Sequence, residues 1–209
     1  MGTTGRSKYA LLEPFSIFGL IMAYIWDWRY SYNRSWLIIL GLMLFSHWRR
    51  RERAKTLGFD WRNFRPCAEE LAPALLFLIL LLLGCGLLFS TTRPMGWEGA
   101  MMALAAYVPW GVFQQYVLNG YFLNRIDRLV PQRTAPVLTA ALFSSAHLPN
   151  WFLMAVTLIA GYGCARLYRR HHNLYCLGLA HAALGFLLYL VIPDSISHHL
   201  TVGPGWFTH

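Results

Sequence analysis

The sequence predicts an all-α protein: a polytopic transmembrane bundle of about seven helices, forming a single integral-membrane domain over residues 1–209. Three observations carry this expectation. Apolar residues make up 56% of the chain and charged residues 13%, against roughly 45–50% and about 25% in ordinary soluble domains. Residues 71–90, LAPALLFLILLLLGCGLLFS, come close to the ~20 apolar residues that cross a hydrocarbon core. No segment shows the apolar–polar alternation bounded by turn residues that marks a half-buried strand.

Taken in order, the expected spans are residues 14–26, 35–48, 67–90, 98–125, 134–148, 150–166 and 173–192. No small-residue cleavage site follows the first apolar core, so the first span is expected to be retained. MGTTGR lacks the Ser or Thr that a myristoylation signal carries at its sixth position. The second and fifth spans are short for a full crossing. They fit tilted or partly interfacial elements shielded by neighbours, and the number of true crossings can then fall below seven. RRRERAKTLGFDWRNFRP, between the second and third spans, is the one long polar segment. Trp48, Leu57, Phe59, Trp61 and Phe64 give it an interfacial amphipathic portion.

Glu69 and Glu70 are placed in the first turn of the third span, and Glu98 in that of the fourth, where acids suit the helix dipole. Gly161, Tyr162 and Gly163 in the sixth span suit close helix packing. His171 and His172, beside Arg169 and Arg170, read as interfacial loop residues before the last span. Residues 193–209 are expected as an outward-facing solvated tail closed by the Gly203-Pro204-Gly205 turn. Its His198, His199 and His209 are a weaker candidate for a surface metal site. Cys67, Cys85, Cys164 and Cys176 lack CxxC spacing and read as small core residues.

Seven crossings place Arg6, Lys8, Arg49, Arg50, Arg51, Arg53, Lys55, Arg62, Arg65, Arg125, Arg128, Arg133, Arg166, Arg169 and Arg170 on one side. Arg29, Arg34 and Arg93 fall on the other. By the positive-inside pattern the first side is cytoplasmic, together with the N-terminus, and the C-terminus faces outward. The expected location is a bacterial inner (plasma) membrane. The net charge of +9 is then topological, with some attraction for anionic headgroups, and membrane lipid is the first expected partner. Nucleic acid is not expected, since no basic face with interleaved aromatics lies outside these loops. Oligomeric state is not legible.

Polar residues inside apolar stretches carry the functional signal. Gln114, Gln115 and Asn119 lie in AAYVPWGVFQQYVLNGYF, His147 in LTAALFSSAHLPN and His181 in LYCLGLAHAALGF. At membrane depth such groups usually face a bundle interior and mark a site. Residues four apart share a helical face, so Gln115 stacks with Asn119, Phe143 with His147 and His181 with Gly185, while Gln114 points roughly 100° from Gln115. The plainer alternative is that amides and imidazoles bond across helices for about 1 kcal/mol each. Two histidines fall short of the three or four ligands of usual metal sites, and glutamine is a poor ligand. No cofactor is therefore expected, with a metal or haem at His147 and His181 as the minor alternative.

The order and spacing of these residues resemble the CPBP family of CAAX proteases and bacteriocin-processing enzymes, which includes the type II CAAX prenyl endopeptidases. The family's motifs are Glu-Glu-x-x-x-Arg followed by Gly, then Phe-x-x-x-His, then His-x-x-x-Asn. This chain has Gln114-Gln115-Tyr-Val-Leu-Asn119-Gly120, Phe143-Ser-Ser-Ala-His147 and His181-Ala-Ala-Leu-Gly185. GYGCARLYRRHHNLYCLGLAH and the earlier TLGF are similar to family segments as well, and a CPBP-like core of about 98–192 results. The resemblance implies a site of Gln114, Gln115, Asn119, Phe143, His147, His181 and Gly185. It also implies an intramembrane endopeptidase acting on a membrane-associated or lipidated peptide. In the family the first glutamate activates water and the histidines and asparagine shape an oxyanion site. A glutamine at 114 has no titratable group and cannot act as that base, so the resemblance implies a homologue whose catalysis is in question. A His-based hydrolysis with Gln114 orienting water is chemically permissible. The alternative is a non-catalytic pseudoprotease that binds a partner protein or lipid in the retained cavity.

Overall fold

The computed structural model describes residues 12–208, which are helical with no strand among them. Helix α1 runs Leu12–Ala23 and continues through wide π turns, Tyr24–Trp28, to Arg29–Ser31. Then come α2 (Trp36–Arg49), a 3₁₀ turn (Ala54–Leu57) and α3 (Phe64–Leu88). α4 (Trp97–Gln115) passes into π turns at Tyr116–Leu123 and ends in Asn124–Ile126. α5 (Thr134–Ser145), α6 (Trp151–His171) and α7 (Leu174–Val191) follow, and the short α8 (Asp194–Ser197) leads into 3₁₀ turns. Arg6, Lys8, the MGTTGR segment and His209 lie outside the described residues.

Among the described residues three helices, α3, α6 and α7, are long and apolar enough to cross a membrane, and α2 and α5 are shorter apolar helices. The 25 residues of α3 give about 37 Å at ~1.5 Å per residue, enough for the ~30 Å hydrocarbon layer with some tilt. Only 6% of its apolar window is buried against protein, compared with 39% for α7. α3 thus lies at the periphery and α7 inside.

α7 packs on α4 along one flank and on α3 along the other, and α5 pairs with α6. The core centres on the wide turns of α4, where Tyr121, Phe122, Leu123 and Ile126 meet Ala165, Tyr168, Leu174 and Leu177. Gly58 locks the preceding loop onto this core. Its φ of +94° suits glycine, and a Cβ there would come within 2.8 Å of the Tyr168 ring. Asn173 caps α7 by accepting from Cys176 N–H at 2.8 Å while donating to the Asp60 carbonyl at 2.6 Å.

Several expectations are corrected. The third span begins at Phe64, so Glu69 and Glu70 sit in its second turn and pair with Arg65 and with Arg170 and His171, respectively. α6 extends to His171, and His172 closes it in the left-handed region at φ 47°. Gly161 does pack, since a Cβ there would lie 3.3 Å from the Phe143 ring and 3.6 Å from Ala140, whereas the space beside Gly163 is open. The tail is docked rather than solvated, because buried Asn150 donates to the carbonyls of Ser197 (2.8 Å) and Thr201 (3.0 Å). Asp194 is also paired with Arg93 and with His199, and Gly203 lies against Ile25 of α1.

Candidate functional site

Glycine places the site. A Cβ on Gly111 would lie 2.6 Å from the Gly178 carbonyl oxygen, and one on Gly178 would lie 2.5 Å from Val112. These two positions let the backbones of α4 and α7 meet directly, the small-residue device of membrane helix pairs. One turn beyond Gly111, Gln115 reaches across to His181.

Gln115 is 1% exposed and Asn119 fully buried. Gln115 Nε2 donates to His181 Nδ1 at 3.0 Å, and its Oε1 accepts from Asn119 Nδ2 at 2.7 Å. His147 sits just past the end of α5, where its Nδ1 donates back to the Phe143 carbonyl at 2.7 Å. The Phe143 ring stands edge-on to both imidazoles, with centroids 4.9 Å from His147 and 6.2 Å from His181. Five of the seven expected residues therefore meet: Gln115, Asn119, Phe143, His147 and His181. Gln114 is half-buried and makes no side-chain hydrogen bond among the described residues. Gly185 lies beside the Tyr107 ring, with 3.3 Å available to a Cβ.

These contacts assign the neutral tautomers. A carbonyl only accepts, so His147 carries its proton on Nδ1 and leaves a lone pair on Nε2. His181 accepts at Nδ1, so its proton sits on Nε2. One ring offers a base nitrogen and the other an N–H donor. The buried Asn119 Oδ1 has no hydrogen-bond partner, which leaves an acceptor open to a ligand or water. Among the described residues no group of three or more His, Cys, Asp or Glu side chains gathers as metal ligands.

An apolar cavity lies elsewhere. An apolar groove of about 520 Å³ is lined by Phe59, Trp61, Val112, Tyr116, Tyr175 and Leu179. Leu179 and His181 are two residues apart, roughly 200° around α7, so groove and polar cluster occupy different faces of that helix.

A second polar cluster, not foreseen from sequence, joins three helices. Arg125, 2% exposed, pairs with Glu13 at 3.1 Å and with Glu52 at 2.8 Å. Glu52 also accepts from Arg128 at 2.9 Å and from His47 Nδ1 at 2.7 Å, and the His47 Nε2 accepts from Tyr116 at 3.1 Å. Glu13 is held further by Ser46, Arg50 and Tyr121. Burial would raise the Glu52 carboxyl, but Arg125, His47 and Arg128 together hold it below the usual carboxylate range. The network ties α1 and α2 to the end of α4. Its only sequence signals were a lone acid opening an apolar helix, a lone acid within RRRERAK and an arginine ending an apolar span.

The family model of type II CAAX prenyl endopeptidases, Rce1-like, matches residues 95–187, from the start of α4 into α7. No curated protein and no solved structure matches the chain. Residues 95–187, with the polar cluster they carry, belong to the CAAX protease (CPBP) family, and the chain is an integral membrane protein.

Proposed function

We propose that the chain engages a membrane-associated or lipidated peptide at the Gln115–Asn119–Phe143–His147–His181 cluster, with Gln114 preceding it in sequence, and acts as a CAAX-type intramembrane endopeptidase with a histidine base. The observation that carries this reading is the complementary pair of tautomers. With Gln114 orienting it, a water gives a proton to His147 Nε2 as its oxygen adds to the scissile carbonyl. The His181 Nε2–H stabilises the resulting oxyanion, and His147 returns the proton to the leaving amine. The Phe143 carbonyl orients the base where other hydrolases use a carboxylate. A neutral orienter gives the imidazolium little support, and loss of the acid from a Ser-His-Asp triad lowers turnover by about 10⁴, so slow cleavage is expected.

The absence of an acidic partner for either imidazole among the described residues favours a second reading. There the cluster binds a peptide, partner protein or lipid without cutting it. One assay separates the two, with purified protein in detergent and prenylated tail peptides. Cleavage by the wild type that disappears in His147→Ala and in His181→Ala supports the histidine mechanism. Equal activity in all three proteins sinks it. Binding without cleavage, weakened in both variants, establishes the second reading.

A further inference from the structure

The end of α2 carries a pocket outside the family-matched segment. It has a volume of about 620 Å³ and is lined by Trp48, Arg49, Arg51 and Glu52. We propose that this pocket binds the phosphate headgroup of an anionic glycerophospholipid, held by Arg49 and Arg51.

Charge pairing around the pocket decides what it can hold. Glu52 on its wall is already matched by Arg125, Arg128 and His47, and the neighbouring Arg50 pairs with Glu13 at 2.6 Å. Arg49 and Arg51 have no carboxylate partner among the described residues. Two guanidinium groups facing one cavity suit a phosphate, which their planar forks can grip bidentately.

The backbone presets the site. Arg51 is held at a φ of 54°, in the left-handed region, by a bond from its N–H to the Trp48 carbonyl at 3.0 Å. Glu52 N–H bonds to the His47 carbonyl at 3.0 Å. Its surroundings select a lipid headgroup over a free ion. Ile38, Leu42 and Phe45 of α2 are exposed and apolar, and they lead up the helix to Trp48, 72% exposed. Phe45 and Trp48 stand 5.6 Å apart, centroid to centroid. An apolar face that ends in an exposed Trp and then arginines is the profile of a helix meeting the headgroup layer. Acyl chains would lie along that face with the phosphate at the arginines.

The test uses the full chain in neutral detergent micelles, titrated with fluorescent phosphatidylglycerol and with phosphatidylcholine bearing the same chains. Wild type is expected to prefer phosphatidylglycerol. Arg49→Gln combined with Arg51→Asn should weaken that binding about thirtyfold, at the ~1 kcal/mol per basic residue typical near anionic surfaces, and leave phosphatidylcholine unchanged. Arg49→Lys with Arg51→Lys keeps both charges but loses the planar forks, so its binding should fall between that of the wild type and that of the neutral double variant. Removing two charges elsewhere, by Arg65→Gln with Arg133→Gln, should change it less than twofold or so. Should the double variant fail to fold, Arg49→Gln alone carries the test at about fivefold. Absence of headgroup preference, equal loss in the remote control, or full competition by millimolar inorganic phosphate would each overturn the proposal, the last by making the ligand a free anion.

Discussion

Gln115 Nε2 lies 3.0 Å from His181 Nδ1, and two glycines below it, Gly111 and Gly178, set that distance. Neither has room for a methyl group, because each faces backbone across the α4–α7 contact. Gly178→Ala should therefore destabilise the protein by about 1–3 kcal/mol, the usual range for overpacking. Thermal unfolding in detergent measures this. Gly163→Ala, beside open space, should be neutral or slightly stabilising because alanine is the better helix former.

Gln115 satisfies two neighbours with one amide. Gln115→Ala leaves the Asn119 amide and His181 Nδ1 unpaired in a buried place, at a loss of about 1–3 kcal/mol. Asn119→Ala should not add its full effect on top, because the two side chains share one hydrogen bond. A double-mutant cycle by chemical denaturation should show coupling of about 0.5–3 kcal/mol. Strict additivity would mean the bond contributes nothing.

Breaking the buried ion cluster should be severe. Arg125→Met strands Glu52 and part of the Glu13 pairing, and such losses run about 3–5 kcal/mol. The pH dependence has a definite sign. The Glu52 carboxyl is depressed in the folded protein, so its stabilisation is present above the ordinary carboxylate range and is lost as pH falls through the folded value. Unfolding measured from neutral pH into the acid range should show a steeper acid loss in wild type than in Glu52→Gln.

Restoring the family pattern asks whether the pocket is otherwise competent. Gln114→Glu, Gln115→Glu and Asn119→Arg introduced together should raise cleavage of prenylated tail peptides well above the wild-type rate if the cavity still presents substrate. A folded triple variant with no gain would show that substrate positioning, and not only the base, differs from the family.

Asn150 caps α6 and holds the tail, accepting from Leu153 N–H at 3.1 Å while donating to two tail carbonyls. Asn150→Ala should cost about 1–2 kcal/mol as a lost cap. It should also release amide protection around Ser197 and Gly203, read by hydrogen exchange, while α7 stays protected.

Contacts between residues within one or two turns of each other were legible in the sequence. The Gln115–Asn119 and Phe143–His147 pairs follow from four-residue spacing, and both are present, even though Asn119 lies in wide π turns. The helix order followed from apolar length and polar punctuation. Contacts across large separations were not legible. Glu13 and Arg125 are 112 positions apart, and no periodicity relates them. Arg125 read as one more member of a basic loop set, yet it is buried between two carboxylates. Nothing local distinguishes Gly111 and Gly178 from other helix glycines, because their role lies in the α4–α7 contact.

The sequence by itself determined that the protein is helical and that it belongs in a membrane. Composition, run length and residue spacing are local properties and need no partner. Only the tertiary structure decided that Gln115 binds His181, that His147 Nδ1 bonds the Phe143 carbonyl and that Glu13 and Glu52 converge on Arg125. The first and last of these depend on how closely two helices approach, and that distance is set by the bulk and hydrogen-bonding demands of side chains far apart in the chain.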